Sequence, residues 1–263
     1  AGMLDGHGPE IAYTTAFVFM LFGALLVFAI PKPSKGPPKE RPTLSNMLEG
    51  FRFIWKQKVI LGAISLDLFA VLMGGVIALL PAYADEVLHL GAAGLGWLRA
   101  APGIGAIAVA GLLAVFPIRD NAGRIMFICV ALFGIFTVVF GVSTVAWLSI
   151  LALMLLGAAD MVSVVIRETL LQLWTPDEVR GRVNAVNSVF VSASNELGEF
   201  RAGSMAHVIA LLRGGMNAPA VLGAVPAVVI GGIGAIVVAG AWAWMFPQLR
   251  NARRLDGKDV TTP

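Results

Sequence analysis

Apolar runs of bilayer-spanning length alternate with short polar breaks along this chain. Residues 11–30 form the first run, and Pro31 ends it. Further runs cover residues 59–80, 92–116, 124–142, 146–166 and 220–246. Pro81 and Pro117 are expected to end the second and third, because proline interrupts the helical hydrogen-bond ladder. The run at 146–166 has the composition to continue to Trp174. Residues 183–213 are equally long but patterned differently. Together these segments predict seven helices able to cross a membrane.

Two segments break the rhythm. PKPSKGPPKERP follows the first run, and its prolines and cations predict an extended linker. In residues 43–58, Leu44, Met47, Leu48, Phe51, Ile54 and Trp55 recur at helical spacing. Glu49, Arg52, Lys56 and Lys58 fall elsewhere. This predicts an amphipathic helix lying on the membrane surface.

Residues 183–213 carry a polar stripe. At 100° per residue, Asn184, Ser188, Ser192, Asn195, Glu199 and Gly203 share one side of a helix, with Glu196 and His207 at its edge. Lipid does not tolerate such a face, so it must look into protein or water. Arg201 projects roughly 140° to 160° away from Glu199 and Gly203. It must snorkel, pair with a neighbouring helix or mark a distortion. The preceding loop, WTPDEVRGRV, predicts a capping box: Thr175 as N-cap, Pro176 at the first helical position and Glu178 completing it.

Composition narrows the class. The chain has 263 residues, 58% hydrophobic, and a mean hydropathy of +0.84. Only 13% of residues are charged, against about 25% in soluble domains. The chain is therefore an all-α integral membrane protein, a polytopic helical bundle. The lone Cys129 lies in an apolar run and suggests no thiol chemistry. The chain opens AGMLDGHGPE, without an initiator methionine or a signal sequence, so it is expected to be a piece of a longer protein.

The placement of charge is more informative than its net value of +3. Cations collect after the first, third, fifth and seventh spans: Lys32, Lys35, Lys39, Arg41, Arg52, Lys56 and Lys58, then Arg119 with Arg124, then Arg180 with Arg182, then the tail from Arg250 to Lys258. The positive-inside rule puts that side, and the C-terminus, in the cytoplasm. Within the spans, the second carries Asp67, the third Arg99, the fifth Asp160 and the sixth Glu196, Glu199 and Arg201. The first, fourth and seventh carry none in their interiors. Each such charge costs roughly 3 kcal/mol at mid-bilayer on insertion scales. At about 1.5 Å of rise per residue, Asp67, Asp160 and Glu196 lie roughly 12, 10 and 17 Å from the cytoplasmic ends of their helices. They are expected to meet, with Arg99 as counter-charge to Asp67 or a glutamate. A carboxylate so placed exchanges a proton as its surroundings change. The competing reading is a set of structural salt bridges.

Other patterns carry less. Gly103, Gly105, Gly231, Gly232 and Gly234 lie in apolar helices with no strand before them, so close helix packing is expected rather than nucleotide binding. His7, His89 and His207 lack metal-ligand spacing, and no nucleophile–base pair is visible. Neither a cofactor nor a catalytic site is expected, and the chain is not expected to be an enzyme. The basic tail beside a span suits anionic lipid better than nucleic acid.

Four segments are specific together: LDLFAVLMGGVIALLPAYADEVL, LGWLRAAPGIGA, ADMVSVVIRETLLQLWTPDEVRGRVNAVNS and SNELGEF. On these the chain resembles the C-terminal half of a major facilitator superfamily transporter, in the branch of efflux proteins that includes the enterobactin exporter. The resemblance implies helices six to twelve of that family, with the seventh, eighth, tenth and eleventh lining a central cavity. It implies four regions: residues 1–31 as an outer loop and the last helix of the N-terminal half, 32–58 as the central cytoplasmic loop, 59–246 as the C-terminal six-helix domain, and 247–263 as a cytoplasmic tail. Two positions depart from the family pattern. Asn121 stands where a basic residue is usual in the loop PIRDNAGR, and Arg201 stands where related sequences carry an acid.

The expected function is proton-coupled export of small organic molecules, of siderophore or drug type, by alternating access across a bacterial inner membrane. Asp67, Asp160, Glu196 and Glu199 are the expected proton or cation sites. Arg99, Asn187, Asn195 and Arg201 are expected as counter-charge and cavity residues, and Asp120, Arg124, Arg167, Arg180 and Arg182 as cytoplasmic gating residues. Expected partners are membrane lipid, a small-molecule substrate and the N-terminal half of the same transporter. The alternative is a membrane scaffold or sensor that keeps the fold without transporting.

Overall fold

Alternation of apolar runs and breaks becomes a bundle of long helices in the computed structural model, which describes residues 9–29, 44–118 and 120–251. Residues 1–8, the whole proline-rich linker, Arg119 and the tail beyond Asn251 lie outside the described residues. The helices are α1 (Pro9–Ala29), α2 (Leu44–Lys56), α3 (Lys58–Gly74), α4 (Leu80–Ala82), α5 (Gly91–Val115), α6 (Ala122–Val142), α7 (Ala146–Trp174), α8 (Asp177–Gly214), α9 (Val221–Met245) and α10 (Pro247–Arg250). Among the described residues, five helical segments are long and apolar enough to cross a membrane. They are Lys58–Val87, Gly91–Val115, Ala122–Val142, Ala146–Trp174 and Val221–Met245. In α1 the apolar stretch is Tyr13–Phe28. The 38-residue α8 is long, about 57 Å at 1.5 Å per residue, but its polar face keeps it out of that apolar set.

Small residues let the helices approach closely. A Cβ on Gly105 would meet the Met154 carbonyl oxygen at 1.9 Å, and one on Gly157 would meet the Pro102 carbonyl at 2.1 Å, so α5 and α7 touch backbone to backbone. Gly223 of α9 sits against the Ala206 carbonyl of α8 in the same way. Gly231 faces the Met73 carbonyl and Gly232 the Gly134 carbonyl. This is the small-residue packing that membrane helices use where lipid offers no hydrophobic drive. Gly103 departs from the packing expectation: a Cβ there meets nothing within 4 Å. α6 packs against both α7 and α9, and α9 packs on α3 and α8.

The second span does not end at Pro81. α3 stops at Gly74, and Gly75 has φ −54° and ψ 116°, outside the helical region. A 3-10 turn at Ile77–Leu79, the single turn α4 and a π-type turn at Tyr83–Val87 complete the crossing. Pro81 sits in the first turn of α4, where a missing N–H costs no helical bond. The broken half is tied down at two points. Tyr83 is fully buried, packs its ring against the tilted Phe140 ring at 4.5 Å and donates to the Gly141 carbonyl at 2.8 Å. The Glu86 carboxylate accepts from the Ala220 and Val221 N–H groups at 3.2 and 2.8 Å, capping the start of α9.

The capping box also takes a different form. Thr175 stays extended as the C-cap of α7, as expected of a residue before proline. Pro176 is the N-cap of α8, and the Thr175 hydroxyl is buried without a hydrogen bond. α2 does not simply lie on a membrane surface. Glu49 pairs with Arg182 of α8, Gly50 abuts the Arg182 backbone, and Ile54 is buried with Ile60, Ile64, Leu171 and Val183.

Gly157→Leu should lower the thermal midpoint of the detergent-solubilised protein, because overpacking costs about 1–3 kcal/mol. Gly103→Ala, directed into open space, should leave it unchanged. Differential scanning fluorimetry checks both.

Candidate functional site

Helix α8 sorts its residues by size and polarity. Val183, Asn187, Ser194, Gly198, Ala202, Ala206 and Ala210 are buried. The neighbouring stripe, with Ser188, Ser192, Asn195 and Glu196, is exposed, and Glu199 is half-buried between the two. Gly198 fits against the Val71 carbonyl, and Gly75 against the Gly198 backbone, so α8 crosses α3 where α3 breaks. That crossing sets the position of Asn195 and Glu199.

A cavity of about 260 Å3 opens at the break. Its walls come from α3, α5, α7 and α8, with Phe133 of α6 also in the lining. Gly75, Pro102 and Gly103 supply backbone and small surfaces, and Asp160, Asn195 and Glu199 supply the polar groups. Asp160 is half-buried. Among the described residues, none of these three side chains has a hydrogen-bond or ion-pair partner. Two carboxylates and an amide thus face one small volume with their bonding capacity free.

Asp67 does not join them. It is 5% exposed and pairs with Arg167, itself 3% exposed. Arg167 also reaches Glu168 at 3.3 Å, and the Asn187 amide donates to the same Glu168 oxygen at 3.0 Å. This second cluster joins α3, α7 and α8. Its polar demand is incompletely met: Ser163 Oγ, Arg167 Nε and Asn187 Oδ1 are buried without hydrogen bonds.

Several expectations are corrected by this geometry. Arg167 lies inside α7, not in a gating loop, because α7 runs unbroken to Trp174. Asn187 belongs to the Arg167 cluster rather than the cavity. Arg99 is exposed on α5 and pairs with no acid among the described residues. Glu196 is exposed outside the cavity lining. Glu168 escaped the sequence reading because the apolar run at 146–166 stops short of it, although the run could extend to Trp174.

Arg201 is the largest correction. Among the described residues it meets no carboxylate. Its Nε donates to the Leu72 carbonyl at 2.8 Å and its Nη2 to the Met73 carbonyl. These carbonyls are left open where α3 stops. Of the loop residues, Asp120 and Arg124 are exposed, and neither forms an ion pair among the described residues. Asn121 adopts φ +56°, a left-handed conformation that asparagine tolerates better than most residues. Gly123 lies directly against the Leu249 carbonyl of α10. Arg180 pairs with Asp177 at 2.5 Å and donates to the Thr175 carbonyl at 3.1 Å. It fastens the α7–α8 junction, while Arg182 fastens α2.

Comparison with known proteins gives a consistent answer. The profile of the Major Facilitator Superfamily matches residues 1–198. The enterobactin exporter EntS of Citrobacter koseri is 29% identical over 228 residues, covering 86% of this chain and 50% of that protein. EntS of Escherichia coli O81 is 31% identical over 160 residues, covering 60% of this chain and 37% of that protein. The chain thus spans half or less of the length of these relatives. No solved structure matches.

Asp67→Asn should destabilise the protein by about 1.5–3 kcal/mol, since it removes a charged hydrogen-bond partner of the buried Arg167, which keeps only Glu168. Asp67→Leu combined with Arg167→Met should recover most of that loss in the same chemical-denaturation measurement. Arg201→Met should cost about 1.5–3 kcal/mol by removing charge-assisted bonds to the α3 carbonyls. Hydrogen exchange should then rise around Leu72 and Met73 before it rises elsewhere.

Proposed function

The chain belongs to the Major Facilitator Superfamily, and on that premise we propose that it is the C-terminal part of a secondary active exporter of small organic molecules. The observation that carries this reading is the cavity at the α3 break, where Asp160, Asn195 and Glu199 face one volume without partners. An unpaired carboxylate inside a span is costly unless it serves a pathway for ions or substrate. A discontinuous helix beside it is where membrane transporters bind their cargo.

In this proposal Asp160 and Glu199 take up and release the coupling proton. Asn195 orients cargo by its amide, which donates and accepts. Substrate and proton compete for the same carboxylates, so protonation from outside displaces cargo outward. The exposed stripe of Ser188, Ser192 and Glu196 supports a second reading of the same face. Such a stripe is unsuited to lipid, so it faces the N-terminal half across a central, water-filled path. Asp67 and Arg167 form the fixed charge pair against which α3 and α7 move together. Alternating access comes from rocking of the two halves. The basic end, with α2, Arg180 and Arg182, lies in the cytoplasm, and the protein resides in a bacterial inner membrane. The named relatives export enterobactin, and a siderophore of that kind is the first cargo to test.

The test uses the full-length protein in a bacterial strain without its own enterobactin exporter. Asp160→Asn and Glu199→Gln should each reduce pH-gradient-driven efflux to background. Both variants should also bind substrate more weakly, because cargo and proton compete for those carboxylates. Efflux at the wild-type rate from either variant overturns the coupling assignment.

A further inference from the structure

A second cavity, of about 390 Å3, lies at the opposite end of α3 from the break. Its size is that of small-molecule sites, about 300–1,000 Å3, but its chemistry differs from that of the transport cavity. Phe51 and Trp55 of α2 form one wall, and Trp242 and Phe246 near the end of α9 form another. Leu61 and Ile64 of α3 lie between them. The aromatic rings hold each other in place: Phe51 and Trp55 at 5.7 Å, Phe69 and Trp242 at 4.9 Å. The polar atoms in reach are already occupied. Trp242 Nε1 donates to Ser65 Oγ at 2.8 Å, and Ser65 donates to the Leu61 carbonyl at 2.6 Å. The remaining surface is hydrocarbon.

Three cations flank the lining residues along the chain. Arg52 follows Phe51, Lys56 follows Trp55, and Lys58 precedes Leu61 by three residues. All three are exposed, and none forms an ion pair among the described residues. The only anion nearby on α2, Glu49, is taken by Arg182. The walls are built rather than incidental, since the Glu49–Arg182 pair and the close approach of Gly50 fasten α2 to α8. An occupant must therefore be apolar along its body and anionic at its head. It must also be thin. A helix about 10 Å across with a 5.4 Å pitch fills about 400 Å3 per turn, so the groove holds no more than one turn.

We propose that this groove is a binding site for an anionic phospholipid, with an acyl chain between α2 and α9 and the phosphate among Arg52, Lys56 and Lys58. Basic pockets at the membrane surface recognise such headgroups. The lipid completes the contact between α2 and the bundle, and its binding is separate from cargo transport.

Two tryptophans line the groove, so brominated lipids report on its occupant directly. Single-tryptophan forms of the full protein keep either Trp242 or Trp147, which is exposed at the other end of the bundle. They are reconstituted in phosphatidylcholine vesicles containing a minor fraction of brominated phosphatidylglycerol or, separately, brominated phosphatidylcholine. Brominated phosphatidylglycerol should quench Trp242 severalfold more than brominated phosphatidylcholine, while Trp147 responds equally to both. The excess should vanish in the triple variant Arg52→Gln, Lys56→Gln, Lys58→Gln, and it should shrink in high salt, which screens exposed charges. Equal quenching of Trp242 by the two lipids overturns the proposal. So does an excess that survives both the triple variant and high salt. Absence of quenching by either lipid means that a protein segment fills the groove, and it also overturns the proposal.

Discussion

A helix that stops inside a membrane leaves carbonyl groups with no water to bond them. The structure depends on how α3 meets that constraint. Arg201 reaches from α8 to the Leu72 and Met73 carbonyls, and Gly75 and Gly198 bring the two backbones together at the same level. Beyond the break, Tyr83 and Glu86 anchor the remaining turns to α6 and α9. The interrupted span is thus held from three neighbouring helices. The cavity exists because the chain turns aside there, and Asp160, Asn195 and Glu199 occupy the space it vacates.

The same side-chain chemistry serves two purposes a few turns apart. Asp67 is paired with a guanidinium and shielded from solvent. Its net contribution is set by a balance of Coulomb gain against desolvation, and its removal leaves Arg167 with Glu168 alone. Asp160 and Glu199 have no partner among the described residues. Their bonding capacity remains free. The distinction comes from neighbours, because only Asp67 faces a cation on the adjoining helix. Incomplete bonding at Ser163, Arg167 and Asn187 leaves the paired cluster capacity to rearrange.

At the basic end, α2 acts as a strap. One ion pair and one glycine contact hold it against α8, and Ile54 seals it into the core. Its outer residues Leu48 and Trp55 stay exposed, which suits a helix whose other side meets lipid. An amphipathic pattern is satisfied equally by a membrane surface and by a protein groove, and the inner side of α2 meets protein.

The order of the long helices was legible in the sequence, because lipid demands continuous apolar runs and those runs need no partner to be recognised. The polar stripe of residues 183–213 and the absence of charge from the first, fourth and seventh spans were legible for the same reason. Tertiary structure alone decided which acids meet. Depth along a helix says how far a residue lies from the surface, but not which neighbour it faces, so Asp67 was grouped with Asp160 and Glu196 although Arg167 holds it apart. Arg201 was unreadable for a related reason: its partners are backbone carbonyls, which every residue carries and no composition reveals. The break itself falls at Gly75 rather than Pro81. Proline marks where a helix cannot continue, whereas this chain turned earlier, where α8 came close enough to bond its open end.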